Sequence, residues 1–382
     1  MPLSCTRHRF ESSSLRDDWT RVYENSRNDS PFLTWEFLEL WDRCFSSEGE
    51  LWLYGVYKDD EPVGFLPLLR KRKLGVRILH SLTNAHCAHS GALLSKGNEE
   101  SALDTLIRFF RQDRWFWDGL VYEFTYPFAS SPGPFPESLL NATRCHWRRT
   151  FDRTFCITLD KPFEEYFEHL SSNIRKNYHY YKKRLGRSCG AVYRHYRDAE
   201  ALPHWDAFLR IEDAGWKGDA NSSILRTSPA FRTYYSGLLD ILARKGCLHL
   251  YFLEIDGKPI AGVFGYTEHD TFHYAKTGFD EEYAEFSPSI LLLFHIIQDL
   301  QAHAPSLQLF HLFPWDHGYK HRYANITPDS ATTVVFSPTP LGHSLRAAVA
   351  LKRHAKRGVS VIEALPKFWR STPSSLTHHT RG

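Results

Sequence analysis

The chain has 382 residues, 42% of them apolar and 24% charged, with a formal net charge of +3. These values are typical of a folded protein with room for two domains, and the small charge argues against a DNA-binding protein. Seven cysteines without a paired spacing indicate a reducing compartment. The first residues contain no apolar signal segment and no run approaches the ~20 apolar residues of a membrane helix, so we expect a cytoplasmic protein.

The first half of the chain alternates helical and strand-like patterns. Residues 1–30 are polar, and apolar residues at helical spacing predict a helix from Phe32 to Phe45. The runs LWLYGVYK and VGFLPLLRK flank the acidic turn DDEP and predict a β-hairpin. A strand at VRILHSL, a helix over 98–111 and a buried strand at GLVYEFTY follow. The Pro-, Gly- and Ser-rich stretch 129–136 predicts a surface loop.

The second half begins with a predicted strand from Thr154 to Leu159. Helices are predicted in FEEYFEHLSSNIRKNYHYYKKRLGR, whose part from Arg175 to Arg187 carries only basic charges, and over 202–213 and 229–245. LHLYFLEI and IAGVFGYT flank the turn DGKP and predict a second hairpin. Buried strands at LQLFHLF and ATTVVF complete the pattern.

The segment TFHYAKTGFDEEYAEFSPSILLL, from Thr271 to Leu293, predicts a strand, an acidic loop and a helix. Gly278 breaks the strand pattern, Ser287 is the natural helix cap, and Pro288 fits the first helical turn. The N-terminus of a helix presents backbone N–H groups that suit a phosphate, so this is a candidate donor-binding site. Many helices that follow a strand start in this way and bind nothing, which is the alternative.

The two predicted hairpins are similar to each other. Leu53-Tyr54 aligns with Leu250-Tyr251, and Asp59, Pro62 and Val63 align with Asp256, Pro259 and Ile260, all at one offset (250 − 53 = 197). We predict two similar halves, each a mixed sheet with helices, unless two common hairpins coincide by chance. The predicted divisions are a polar segment 1–30, an N-terminal domain 31–150, a C-terminal domain 151–340 and a basic tail 341–382.

The order of elements and several short motifs in the second half resemble the GNAT superfamily of N-acyltransferases. The motifs are EDAGWKG from Glu212, LYFLEIDGKPIAG, YAKTGFD from Tyr274, Ser287-Pro288 and Tyr319-Lys320. Within the superfamily the chain looks like the CelD/BcsL family, whose relatives include the FemABX peptidyltransferases with tandem GNAT-like halves. The resemblance implies a mixed α/β fold with two GNAT-like halves, of which the C-terminal one is complete.

The resemblance implies an N-acyltransferase that moves an acyl group from acyl-CoA directly to an amine of a small molecule or a saccharide-linked acceptor. Acetyl-CoA is the expected donor, and no metal is required. One alternative is a FemABX-like transferase that takes an aminoacyl group from tRNA, which the basic segment 175–187 favours and the small net charge disfavours. Ser289 stands where such families usually have glycine, and the phosphate loop Q/R-x-x-G-x-G/A is absent. A non-catalytic GNAT-like module in polysaccharide or envelope assembly is therefore another alternative.

Acyl transfer to an amine needs a base for the ammonium proton and an acid for the leaving thiolate. By the resemblance, the catalytic candidates are Tyr319 as the acid, Asp316 as the base and Glu212, with a packed aromatic and a helix cap as alternative roles for the first two. The expected donor-binding residues are Lys276, Thr277, Gly278, Phe286, Ser287, Ser289 and Ile290. The expected acceptor-binding residues are Trp216, Lys217 and Lys320.

Strand alternation places Lys276 on the same face as Tyr274. There it either neutralises a phosphate of the donor or only extends to solvent at the end of the sheet. His80, His86, Cys87 and His89 do not match a zinc-ligand spacing, so no metal site is expected. The basic segment from Arg346 to Arg370 is compatible with weak contact to an anionic membrane surface or with a tail that has no partner.

Overall fold

The structure is a computed structural model that describes residues 2–11, 15–84, 86–87, 90–125, 146–187, 190–313 and 318–355. The strands are β1 Ser4–Arg9, β2 Glu50–Lys58, β3 Glu61–Lys73, β4 Val76–His80, β5 Leu93–Leu94, β6 Gly119–Thr125, β7 His146–Arg153, β8 Cys156–Thr158, β9 Val192–Arg197, β10 Leu248–Ile255, β11 Lys258–Glu268, β12 Thr271–Phe279, β13 Leu309–His311 and β14 Asp329–Phe336. The helices are α1 Arg16–Glu24, α2 Trp35–Phe45, α3 Glu99–Gln112, α4 Phe163–His169, α5 Ser172–Leu185, α6 Asp198–Ala201, α7 Trp205–Ala214, α8 Trp216–Asp219, α9 Pro229–Arg244, α10 Pro288–His303 and α11 Pro340–Ala355.

The chain divides into two compact units, one of Met1–Phe151 with Asp329–Gly382 and the other of Asp152–Pro328. These boundaries differ from the predicted ones. The predicted polar segment 1–30 contributes β1 and α1 to the first unit, and the strand at ATTVVF, assigned to the C-terminal domain, is β14 of the first unit. The reason is that β14 pairs with β6, a partner far away in sequence. The predicted tail 341–382 begins within α11, and residues 356–382 lie outside the described residues.

The second unit contains a mixed sheet with the strand order β8-β13-β12-β11-β10-β9. Neighbouring strands are antiparallel except for β12 and β13, which are parallel and are connected through α10. A parallel pair needs such a crossover, and α10 buries a broad apolar face in the core of the unit. The segment from Thr271 to Leu293 therefore forms a strand, a short 3-10 helix over Glu281–Phe286 and a helix, in the predicted order.

The first unit repeats this topology in the order β1-β2-β3-β4-β6-β14-β7, with β5 beside β3. Here β4 and β6 are the parallel pair, and α3 connects them. The predicted apolar face of that helix, with Leu103, Leu106 and Phe110, is buried.

Helix α2 begins where the Thr34 hydroxyl accepts a hydrogen bond of 3.2 Å from the Phe37 N–H. The predicted mixed α/β fold class is thus confirmed, with two mixed sheets.

The two predicted hairpins share their detailed geometry. Both turns have two residues with positive φ, Asp59-Asp60 at 49° and 67° and Asp256-Gly257 at 49° and 76°, as a type I′ turn requires. Both hairpins also contain a one-residue bulge at the same aligned position, Val63 in one and Ile260 in the other. The internal similarity read from a few residues therefore extends to the backbone register of both halves.

The part of the chain that the structure describes contains no helix that is long and apolar enough to cross a membrane. Among the same residues, no group of three or more His, Cys, Asp or Glu side chains is arranged to hold a metal ion. Of the four residues considered for a metal site, His89 lies outside the described ranges.

Candidate active site

The candidate site lies where β12 separates from β13. The two strands pair at Thr271, Phe272 and His273 of β12, and β12 then continues to Phe279 beside β11. Directly after the last paired residue, Tyr274 and Ala275 together face a single residue of β11, which is a β-bulge. Beyond His273, one edge of β12 has no partner strand among the described residues. An open strand edge of this kind offers backbone N–H and C=O groups to a ligand.

The bulge changes the face on which Lys276 lies. Strict alternation predicts that Tyr274 and Lys276 share a face, and this prediction is wrong. Tyr274 packs into the core around α10, whereas the Lys276 ammonium lies 5.5 Å from the ring centre of Tyr235, on α9. An extra residue in a strand reverses the alternation of every side chain after it. The site therefore has two faces with different chemistry.

Three tyrosines, Tyr274, Tyr319 and Tyr323, form a cluster on the α10 face. The rings of Tyr319 and Tyr323 are 6.5 Å apart, and the Tyr166 hydroxyl donates a hydrogen bond of 2.9 Å to the Tyr323 carbonyl. Burial, with Tyr319 and Tyr323 nearby, raises the pKa of Tyr274. Tyr319 is 38% exposed, yet burial of its hydroxyl, with Tyr323 nearby, raises its pKa to about 12. Each of these hydroxyls therefore remains protonated near pH 7 and can donate a hydrogen bond.

Glu212, Lys217 and the backbone N–H of Ile224 form a network on the opposite face. Glu212 is buried; one carboxylate oxygen accepts from Lys217 at 3.2 Å, and the other accepts from the Ile224 N–H at 2.9 Å. The Lys217 ammonium also donates to the Thr277 carbonyl of β12 at 2.7 Å. A Cβ atom added to Gly278 would lie 2.7 Å from the Glu212 Cα, so glycine is required for this close approach.

Lys276 lies beside this network, and its side chain is half-buried. Burial is the main cause that lowers its pKa to about 8; the Glu212 charge opposes the shift, and the Lys217 charge contributes to it. Lys217 and Lys276, the two lysines predicted to bind charged groups, thus both lie near the Glu212 carboxylate. The Lys217 ammonium links the Glu212 carboxylate to the Thr277 carbonyl of β12.

The start of α10 differs from the prediction in one respect. Pro288 is the first helical residue, as predicted, but Ser287 has a left-handed backbone (φ 47°) and makes no capping hydrogen bond through its side chain. A capping side chain needs an extended backbone at that position. Phe286 and Ile290 pack against the core, and Ser289 is half-buried. Contacts to a ligand here would therefore come mainly from the backbone.

The remaining predicted residues are not all brought to this site. Lys320 is buried, and its ammonium donates to the Phe313 carbonyl at 3.3 Å. Asp316 lies outside the described residues, as does the side chain of Trp216, whose backbone begins α8. The sequence reasoning missed Tyr274 and Tyr323 as neighbours of Tyr319. The spacing of Tyr319 and Tyr323, four residues apart, is the signal that could have paired them.

Residues 172–321 match a protein-family model described as "Acetyltransferase (GNAT) domain". The matched segment contains Glu212, Lys276 and Tyr319. No protein of curated function matches the chain.

Several solved structures share the fold. The crystal structure of FemX is 11% identical with a TM-score of 0.55, and the match covers 89% of this chain and 100% of that one. The C-terminal domain of a putative lysylphosphatidylglycerol synthetase from Agrobacterium fabrum is 12% identical with a TM-score of 0.51, covering 91% and 99%. A conserved protein of unknown function from Bacteroides thetaiotaomicron is 11% identical with a TM-score of 0.52, covering 86% and 99%. At these identities the likeness concerns the fold alone. The strand order and the family match together identify the segment 172–321 as a GNAT acetyltransferase-like domain.

Proposed function

We propose that this protein is an N-acyltransferase that moves an acyl group, with acetyl-CoA as the expected donor, directly to the amine of a small or saccharide-linked acceptor. The observation that supports this most is the separation of β12 from β13 at the Tyr274 bulge, inside the matched segment. Bound acyl-CoA supplies the acyl group as an activated thioester. The chain's own residues then have to position it, donate to the leaving sulfur and accept a proton from the amine.

In this proposal the two faces of β12 have different roles. Tyr319 donates a hydrogen bond to the sulfur as the thiolate forms, since its raised pKa keeps the hydroxyl protonated. Asp316, which follows β13 in sequence, is the proposed base. Glu212 was a catalytic candidate, but both of its oxygens already accept hydrogen bonds, so we assign it the positioning of Lys217 and β12.

The donor's phosphates are proposed to lie at the start of α10. Arg184, near the C-terminal end of α5, forms an ion pair with Glu285 and lies 5.5 Å from the ring centre of Phe286. The exposed basic residues Lys183 and Arg187 belong to the same end of that helix region. Positive side chains beside a helix N-terminus favour an anion there.

The first expected result is that acetyl-CoA stabilises the second unit against unfolding. A ligand at 100 times its dissociation constant stabilises the native state by ~2.7 kcal/mol, which is a measurable rise in the unfolding midpoint. Differential scanning fluorimetry with acetyl-CoA, CoA and adenosine measures it, and adenosine should have the smallest effect. Release of free thiol with a panel of amines then tests transfer itself.

An aminoacyl-tRNA donor is the second candidate function, because α5 presents several exposed basic side chains, including Lys176 and Lys183, and the chain shares its fold with FemX. It predicts stabilisation by aminoacyl-tRNA and none by any acyl-CoA. That outcome would replace the leading proposal. Stabilisation by acetyl-CoA without thiol release for any amine would instead favour the non-catalytic module.

The first unit differs at the position that corresponds to the open edge. After β4, the Ser81 N–H donates to the Val121 carbonyl at 3.0 Å, and the Glu123 N–H donates to the Ser81 hydroxyl at 3.0 Å. The Thr83 hydroxyl also donates to the Glu123 carboxylate at 3.3 Å. The two parallel strands of this unit are thus held together beyond their last paired residues, where those of the second unit separate.

We therefore expect one donor site per chain. Isothermal titration calorimetry with CoA should give a stoichiometry of one, because among the described residues the parallel pair of the first unit is held together beyond its last paired residues, whereas one edge of β12 in the second unit is open. Ser287→Pro in the second unit is the test variant: it forces φ away from its positive value and removes the N–H that donates to the Ala284 carbonyl at 2.9 Å, so it should abolish the signal. Two equivalent sites, or a signal that survives this change, would contradict the assignment.

A further inference from the structure

Lys276 has a position that the proposed reaction does not yet use. Its side chain projects from the open part of β12, directly after the bulge, and toward α7 and α9. It is half-buried but makes no hydrogen bond or ion pair with the residues that the structure describes. The Lys276 ammonium lies 5.5 Å from the centre of the Tyr235 ring, where a cation–π interaction stabilises its charge. A partly buried ammonium that makes no hydrogen bond to the protein is available to bind an anionic group that reaches it.

The charges around Lys276 do not supply the acceptor. Glu212 on α7 is the acidic group that acts on it, and both of its oxygens are already bound by Lys217 and the Ile224 N–H. Lys217 on α8 adds a second positive charge, while α9 and β11 contribute the aromatic rings of Tyr235 and Phe264. The two lysines and one carboxylate leave this face with a net positive charge. A purely cationic acceptor would be repelled here.

On the basis of the proposed function, we propose that the acceptor amine carries an anionic group, a carboxylate or a phosphate monoester, and that Lys276 binds it. The donor's phosphates are assigned to the start of α10, next to the tyrosine face, so an anion on the Lys276 face comes from the acceptor. The same placement orients the acceptor amine toward the open edge of β12, where the acyl group is transferred. The predicted role of Lys276 as a donor phosphate ligand is replaced by this one.

The titration of Lys276 gives a test that needs no turnover. Its pKa is lowered to about 8, so at pH 7 it is mostly charged, and an anion that binds it should raise the pKa again. Labelling with trace acetic anhydride across a pH series, followed by peptide mass spectrometry on the full chain, reports the pKa of each lysine. N-acetylglycine is the anionic probe, N-acetylglycinamide is the neutral matched probe, and methyl phosphate tests a phosphate group.

We expect N-acetylglycine or methyl phosphate to raise the Lys276 pKa by about one unit, the usual effect of a close opposite charge, and N-acetylglycinamide to leave it unchanged. The anion that raises the Lys276 pKa shows whether the acceptor carries a carboxylate or a phosphate. Lys258, exposed and paired with Asp280 at 3.0 Å, is the internal control and should respond to none of the probes. No response of Lys276 to either anion, or an equal response to the neutral amide, would overturn the proposal.

Substrate preference gives a second readout. In thiol-release assays with acetyl-CoA, amines that carry the anion identified by the labelling should be better acceptors than their neutral counterparts: amino acids against amino acid amides for a carboxylate, and aminoalkyl phosphates against amino alcohols for a phosphate. Lys276→Gln should reduce this preference at least about tenfold through KM. Lys276→Arg keeps the positive charge and should retain most of the preference for anionic acceptors. Lys258→Gln is the control and should leave this preference unchanged. If the proposed function itself fails, no amine releases thiol and acetyl-CoA does not stabilise the protein, while the labelling response still reports whether Lys276 binds an anion. An unchanged preference in Lys276→Gln would refute the acceptor assignment.

Discussion

Tyr319→Phe should lower turnover about ten- to a thousand-fold with little change in the affinity for CoA, the range usual for losing one proton donor. The physical reason follows from the two pKa values. Burial raises the pKa of Tyr319 to about 12, well above the ~8.5 of an ordinary thiol, so full proton transfer to the sulfur is unfavourable. In the proposed reaction, Tyr319 therefore acts as a hydrogen-bond donor that stabilises the developing thiolate.

This role has a pH signature that the measurement can separate from folding effects. The activity of the parent protein should not fall because of Tyr319 until the pH approaches 12, and the loss in Tyr319→Phe should be the same throughout the neutral range. Tyr323→Phe is the matched control, since that tyrosine belongs to the same cluster. Its backbone carbonyl, which the substitution does not change, accepts the hydrogen bond from the Tyr166 hydroxyl. Equal activity of Tyr319→Phe and the parent would place the proton donor elsewhere, with a water molecule in the cleft as the next candidate.

Glu212→Gln should destabilise the second unit by on the order of 3 kcal/mol, as expected when one partner of a buried ion pair is removed. Glu212 is buried, and Lys217 would keep its hydrogen bond to Thr277 but lose its counter-charge. Urea unfolding followed through the tryptophan fluorescence of the full chain measures the change. Asp213→Asn is the matched control; it breaks the more exposed pair with Arg226 and should cost about 1 kcal/mol or less.

A double-mutant cycle decides whether the pair is the cause. Glu212→Gln combined with Lys217→Met removes both charges and should recover part of the lost stability, because no uncompensated ammonium remains. A positioning role also predicts that the activity of Glu212→Gln falls by the same factor at every pH. A loss that grows at low pH, in a protein of unchanged stability, would show that Glu212 is the base after all.

The sequence predicted local structure well where a few residues determine the backbone. The Asp-Asp and Asp-Gly turns specify both hairpins, and Pro288 marks the start of α10. The similarity of the two halves was also predicted from the sequence, because Val63 and Ile260, the extra residues of the two bulges, align at the same offset as the turn residues.

The candidate site was less predictable because it depends on contacts between distant segments. The face of Lys276 depends on the bulge at Tyr274-Ala275, and no turn residue marks that bulge in the sequence. The engagement of Glu212 by Lys217 depends on how the segment between α7 and α9 folds back toward β12. Alternation and helical spacing describe one element at a time, so they cannot report such contacts.

The pairing of β14 with β6 has a consequence for synthesis. Translation of the first unit's early strands is complete long before residues 329–336 emerge from the ribosome, and the whole second unit is made in between. The second unit can therefore fold first. During this time the edge of β6 that β14 later covers is unpaired and is able to pair with a strand of another chain. The last strand to be made closes that edge. Premature termination before Asp329 should thus yield a folded second unit attached to an aggregation-prone first unit.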